Sequence, residues 1–174
     1  IGGTTKTANY FSGTGTSALV FQYTIAAGDT DANGISIAAN SLALNGGTIN
    51  DAAGNAATLT HSAVTDNASY LVDTTAPVAA VISTVSTNTG DPNTSDTIVN
   101  DLSPLITFTG EASATVQVLN QEGNIVPSSS YTLLAFGSTY VLNFGTNTQS
   151  DGIYSIELID AAGNVSNPAT FTLD

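Results

Sequence analysis

A chain of 174 residues with 14 carboxylates, one Lys and no Arg has a formal net charge of −13. Such a surface repels phosphate backbones and anionic lipid, which excludes a nucleic-acid binder, and no apolar run is long enough for direct membrane insertion. Cys, Met and Trp are absent, so disulfides, thiolate nucleophiles and Cys-built metal centres drop out together. With 41% hydrophobic residues the chain is globular, and its length suits one large domain or two small ones. A lone Lys6 cannot pair with that many acids, so a divalent cation is the expected counter-charge.

The opening run, IGGTTKTANYF (1–11), has no basic-then-apolar leader pattern, and any targeting signal is expected outside these residues. Alternating apolar and polar residues then predict strands at ALVFQYTI (18–25), PLITFTG (104–110), ATVQVLN (114–120), STYVLNF (138–144), GIYSIELI (152–159) and ATFTL (169–173). Turn residues separate them at Asn45-Gly46-Gly47, Glu122-Gly123-Asn124, Asp151-Gly152 and Gly163-Asn164. Only IAANSLAL (37–44) leaves room for a helical turn. Short strands at this spacing predict an all-β sandwich or barrel.

Between the first strands lies GDTDANG (28–34), with Asp29, Asp31 and Asn33 at alternate positions before Gly34. That is the front half of an oxygen-rich Ca²⁺ loop, and equally the pattern of an Asx turn. An EF-hand is excluded, because Asn40 stands where the closing Glu would be and helices are lacking. DAAGN occurs twice, at 51–55 and 160–164, and either joins hairpin strands or lends Asp to a metal. His61 with Ser62 and Asp66 could be drawn as a triad, but no nucleophile elbow accompanies it, and a strand-end histidine is expected. Tyr154 sits where a tyrosine corner is expected, a packing role.

The DAAGN copies, with YLVD (70–73) echoed by FTLD (171–174), define an internal repeat. Pro77 stiffens the connection after the first copy, which sets the domains at 1–73 and 74–174. Between Pro77 and the second loop lie 159 − 77 = 82 residues, against 50 before the first, a deficit of 32. That equals about two strands with their connections, so the first unit is expected to lack its N-terminal strands.

The segment from IGGTT through SGTGTSALVFQYTIAAGDTDANGISI, LALNGGTINDAAGNAATLT and VDTTAP, followed by a unit ending DGIYSIELIDAAGN, resembles tandem bacterial immunoglobulin-like repeats. Such repeats form the extender regions of giant type I-secreted, repeats-in-toxin type surface adhesins. The resemblance implies two tandem Ig-like Greek-key β-sandwiches, the first lacking its opening strands, secreted to the bacterial cell surface.

In an Ig-like second unit, Glu111, the Asp160 loop and the arriving Asp73 would share one end, where Asp29, Asp31 and Asn33 also leave the first unit. Ca²⁺ bound there would reverse the repulsion between these groups. Asp151 and Asp174, with Asp96 or Asp101, would form a half-site at the far end for a neighbouring repeat. The expected function is a Ca²⁺-stiffened spacer without enzymatic activity, supporting adhesion or biofilm formation. The alternative is a ligand-binding module for glycan or ice, with Tyr10, Tyr23 and Tyr140 as candidate exposed aromatics. A two-carboxylate polysaccharide hydrolase is the third reading, without a visible pocket-forming insertion. An incomplete first unit also predicts strand-edge self-association.

Overall fold

Alternation of apolar and polar residues becomes twelve strands in the computed structural model, which describes residues 1–85, 98–99, 104–145 and 149–173. Among the described residues there is no α-helix, only a 3₁₀ turn at Ser128–Ser130. The chain divides into two units, Ile1–Thr75 and Ala76–Asp174.

The second unit consists of β5 (Val81–Val85), β6 (Ile98–Val99), β7 (Leu105–Thr109), β8 (Thr115–Leu119), β9 (Thr132–Phe136), β10 (Thr139–Asn143), β11 (Gly152–Ile159) and β12 (Ala169–Leu173). One sheet runs β5-β7-β10-β9 and the other β6-β12-β11-β8, so the chain crosses repeatedly between sheets. All pairs are antiparallel except β12 with β6, where Thr172 faces Ile98. These orders are those of an immunoglobulin-like Greek-key sandwich.

Period-two burial builds its core. Ile106 and Phe108 from β7, Tyr140 and Leu142 from β10, Val116 and Val118 from β8, and Ile156 and Leu158 from β11 all point inward. Tyr140 stacks on its cross-strand partner Phe108, centroids 5.2 Å apart, and its hydroxyl donates to the Glu111 carbonyl at 2.6 Å. Phe144, just beyond β10, reaches across to Tyr154 and Phe171 of the opposite sheet at 6.0 and 6.3 Å. Each such ring removes enough apolar surface from water to stabilise by about 1.5–3 kcal/mol. The Tyr154 hydroxyl donates to the Ser150 carbonyl four residues upstream at 2.9 Å, the expected tyrosine corner.

The first unit is two pairs of strands: β1 (Asn9–Ser12) with β2 (Val20–Gln22), and β3 (Ile35–Ile37) with β4 (Val64–Asn67). Tyr10 and Phe21 meet edge-on across the first pair, centroids 6.0 Å apart. Its one buried apolar side chain among the described residues is Val72, and beside it Asp29 and Asp31 are buried as well. The helical turn for which 37–44 leaves room does not form; Asn40 instead takes φ +54° and its side chain accepts from the His61 N–H at 3.1 Å.

Candidate functional site

The DAAGN loops show how acidic side chains are held in a chain almost without cations. Asp160 Oδ1 accepts from the backbone N–H of Ala162 and Asn164 at 2.8 and 2.9 Å, and Oδ2 from the Asn164 amide at 2.8 Å. Asp51 repeats this pattern on Ala53 and Asn55 at 2.9, 2.8 and 2.9 Å. A third copy, hidden in the sequence because it begins with Asn, is NQEGN (120–124). There Asn120 Oδ1 accepts from Glu122 and Asn124 at 3.2 and 2.9 Å. The pattern Asp/Asn-x-x-Gly-Asn would have revealed it. In all three the Gly is left-handed, with φ +91°, +78° and +91° at Gly54, Gly123 and Gly163, a conformation other residues enter only at a cost.

The asparagine amide, and then the backbone N–H groups, hold the Asp160 and Asp51 carboxyls below their usual range against the opposing effect of desolvation. Asp160→Asn keeps the Oδ1 acceptor, as Asn120 does naturally, and should leave the second unit's melting temperature nearly unchanged. Asp160→Ala leaves two N–H groups without their partner and should lower it, which thermal melts followed by circular dichroism will measure.

In the 28–34 segment the acids form a clasp. Asp29 Oδ1 takes the Lys6 ammonium at 2.6 Å, while Oδ2 accepts from the Tyr23 hydroxyl at 2.7 Å and the Ala26 N–H at 2.9 Å. Asp31 Oδ1 caps Asn33 and Gly34 at 3.3 and 2.9 Å, and Oδ2 accepts from Gly2 N–H at 2.8 Å. Asp31 also bridges Val72 through backbone bonds of 2.7 and 3.0 Å, and the Thr74 hydroxyl donates to the Asp29 carbonyl at 3.0 Å. Residues 1–6 and 72–74 are therefore tied to the same acidic segment. Along the chain Lys6 shows only as too little charge; its pairing with the most buried carboxylate is a tertiary contact.

Lys6, then the Tyr23 hydroxyl, hold the Asp29 carboxyl far below its ordinary value of 3.8, and the Gly2 N–H holds that of Asp31 below it. Hydrogen bonding to Asp29 raises the Lys6 ammonium above 10.5. A depressed carboxyl stabilises the fold above its unfolded value and loses that contribution as pH falls through the folded one. A raised ammonium stabilises below its unfolded value and loses that contribution as pH rises through the folded one. Hydrogen exchange at Gly2, Ala26 and Gly34 should thus be governed by intrinsic rates between about pH 5 and 9, and protection should fall below about pH 4. Loss of protection already at pH 6 would show that these carboxylates do not hold the clasp.

The ladders place the other candidate residues. Thr115 faces Ile159 and Val81 faces Thr109, so Glu111 and Asp160 lie at the pole where the chain enters the second unit. Gly152 faces Leu173, which puts Asp151 at the opposite pole. Asp73 Oδ1 caps the Thr75 N–H at 2.9 Å. The Asn33 amide donates to Asp66. Asp174, Asp96 and Asp101 lie outside the described residues. Among the described residues no three His, Cys, Asp or Glu side chains converge closely enough to hold a metal ion. Asp29, Asp31 and Asp160 accept from ammonium, hydroxyl, amide or backbone N–H donors.

Other candidate chemistry fits structure better than catalysis. The His61 ring spans Ser62 O at 2.8 Å and Ser41 N–H at 3.0 Å, with Nε2 accepting, and Asp66 is engaged by Asn33 instead. Tyr140, expected among the exposed aromatics, is 1% exposed, because its strand register turns it into the core. A cleft of about 230 Å³ beside Asp151, lined by Asn120, Glu122, Pro127, Ser150 and Tyr154 among others, is smaller than the ~300–1,000 Å³ typical of ligand sites.

Two four-stranded sheets, a tyrosine corner and capped hairpin loops define the second unit as an immunoglobulin-like β-sandwich. Residues 91–174 match the family described as Bacterial Ig domain. No curated protein matches the chain.

Proposed function

We propose that the chain is a pair of structural extender units from a secreted bacterial cell-surface adhesin, holding a distal binding domain away from the cell in adhesion or biofilm formation. The observation that carries this reading is the second unit's Ig-like sandwich, matched over 91–174 by the bacterial Ig family, in which Asp160, Asn120, Tyr140 and Tyr154 serve the unit's own turns and core. A spacer needs length and stability rather than a ligand pocket. The burial of Tyr140 removes one of the three aromatics on which a glycan platform would have been built.

The test is substitution by length. A binding domain displayed on cells through these 174 residues should lose reach when they are deleted. An unrelated pair of β-sandwiches of equal length should restore it. Failure of the unrelated pair to restore adhesion would show that these residues contact a ligand themselves.

Calcium stiffening is part of the proposal and rests on the charge of −13. Its test is thermodynamic. Ca²⁺ should raise the melting temperature and EDTA lower it, by the equivalent of about 2.7 kcal/mol when free Ca²⁺ exceeds its dissociation constant 100-fold. Superimposable melts at matched ionic strength would remove calcium from the function and leave the spacer.

A further inference from the structure

His61, the chain's only histidine, lies just before β4. Ile37 faces Val64 in the β3–β4 pair, and the same register brings Asn40 opposite His61. The Asn40 N–H donates to the His61 carbonyl at 3.2 Å, and the Asn40 side chain accepts from the His61 N–H at 3.1 Å. The ring completes the contact, with Nδ1 2.8 Å from the Ser62 carbonyl and Nε2 3.0 Å from the Ser41 N–H. These partners allow one arrangement of hydrogens. A carbonyl only accepts and a backbone N–H only donates, so Nδ1 carries the hydrogen and Nε2 is bare. The Ser41 hydroxyl, 3.4 Å from Nε2, can adapt to either form of the ring, but the Ser41 N–H cannot.

This contact closes the base of the 42–60 segment. Inside the segment, Gly47 donates to Leu44 O and Ala57 to Ile49 O, both at 2.8 Å, and Asp51 to Asn55 O at 2.9 Å. Apart from half-buried Leu42, Ile49 and Leu59, its residues are exposed. The grip of Asn40 and Ser41 on His61 is therefore what anchors it to the β3–β4 pair.

We infer that His61 is a pH-sensitive clip at the base of the 42–60 segment, closed while its ring is neutral and released when the ring takes up a proton. Protonation puts hydrogen on Nε2, which then meets the Ser41 N–H donor to donor and leaves it without its acceptor. Opening is thus coupled to proton uptake, and acid favours it. The other titratable groups on the packed segments are Asp51, held within its own loop, and Asp66, engaged by the Asn33 amide. Residues 35–42 carry none. Carboxylates ordinarily titrate below the window of about pH 5–8 in which imidazole changes charge. An α-amino group titrates in that window too, and that of Ile1 donates to Thr4 O.

Hydrogen exchange and nitrogen NMR of the full chain test the clip. At about pH 8 the ring should be the Nδ1–H tautomer. The protection factor of Ser41 should fall between about pH 8 and 5, by up to about tenfold per pH unit, the limit for a single proton. Asn40 should follow it, whereas Ala53 and Asn55, whose N–H groups bond Asp51, should keep their protection. In His61→Gln the side chain does not titrate, so the pH response of Ser41 should vanish whether or not Gln restores the bond. That variant also separates the ring from the Ile1 amine. The opposite tautomer, constant Ser41 protection across this range, or an equal fall in His61→Gln would each overturn the inference. So would an equal fall at Ala53 and Asn55, because the whole segment would then be unfolding rather than its base opening.

Discussion

Phe144→Ala should destabilise the second unit by about 3–5 kcal/mol, the range for removing a fully buried aromatic ring. Phe144 is 1% exposed and touches Tyr131, Tyr154 and Phe171, so it joins the strand end after β10 to both layers of the sandwich. The rings around it are anchored by backbone ladders, with Tyr154 facing Phe171 across β11 and β12, and cannot collapse into the vacated space. Against a typical total of about 5–15 kcal/mol, such a loss leaves the unit marginal. Phe136→Ala is the control: that ring is 65% exposed and its removal should change stability by no more than about 0.5 kcal/mol. Urea titrations followed by near-ultraviolet circular dichroism of the tyrosines will separate the two. Equal midpoints would mean that the Phe144 cluster does not hold the sheets together.

The second large effect belongs to the first unit. Gly34→Ala should break the β3–β4 pair and the Asp31 clasp together. Gly34 has φ +99°, and a Cβ there would stand 1.9 Å from the Asn67 carbonyl oxygen, a backbone atom that cannot swing aside. Its N–H is also one of the donors to Asp31, at 2.9 Å. Gly28 has a similar φ of +89° but open space around the missing Cβ. Gly28→Ala therefore carries only the left-handed backbone penalty of about 1–2 kcal/mol. Gly34→Ala adds overpacking of about 1–3 kcal/mol. Hydrogen exchange at Ile35 and Val72, whose N–H groups bond Tyr70 O and Asp31 O, reports on the strand pair and the clasp. If the two alanine variants exchange alike, close approach of the Asn67 backbone is not what requires glycine at 34.

Strands whose residues alternate cleanly are legible in the amino-acid sequence alone. LITFT, TVQVL, TYVLN, GIYSIELI and ATFTL form β7, β8, β10, β11 and β12, because a sandwich strand buries one face and period two records it. Strands less strictly patterned are not legible. TLLAF reads as a plain apolar run, yet it is the edge strand β9, with Leu133 inward and Leu134 outward. Ile98–Val99 is too short to carry any period, and its parallel pairing with β12 is a long-range choice.

The loops divide in the same way. Asp-x-x-Gly-Asn specifies its own geometry, since capping donors and the left-handed glycine all lie within five residues. That is why the repeat is visible in the chain. The distant partners of Asp29 and Asp31 are not, because Lys6 and Gly2 lie more than twenty residues away along the chain. Local sequence says only that such carboxylates need donors; with one Lys available, a cation is the expected answer. Folding brings the Lys6 ammonium, the Tyr23 hydroxyl and backbone N–H groups to them, and each replaces part of the water the carboxylate gives up. Charge and periodicity along the chain thus determined the all-β class and the repeated loops. Which carboxylates are buried was decided by contacts distant in the chain, and which aromatics stay inside was decided by register, because a shift of one residue exchanges the two faces of every strand.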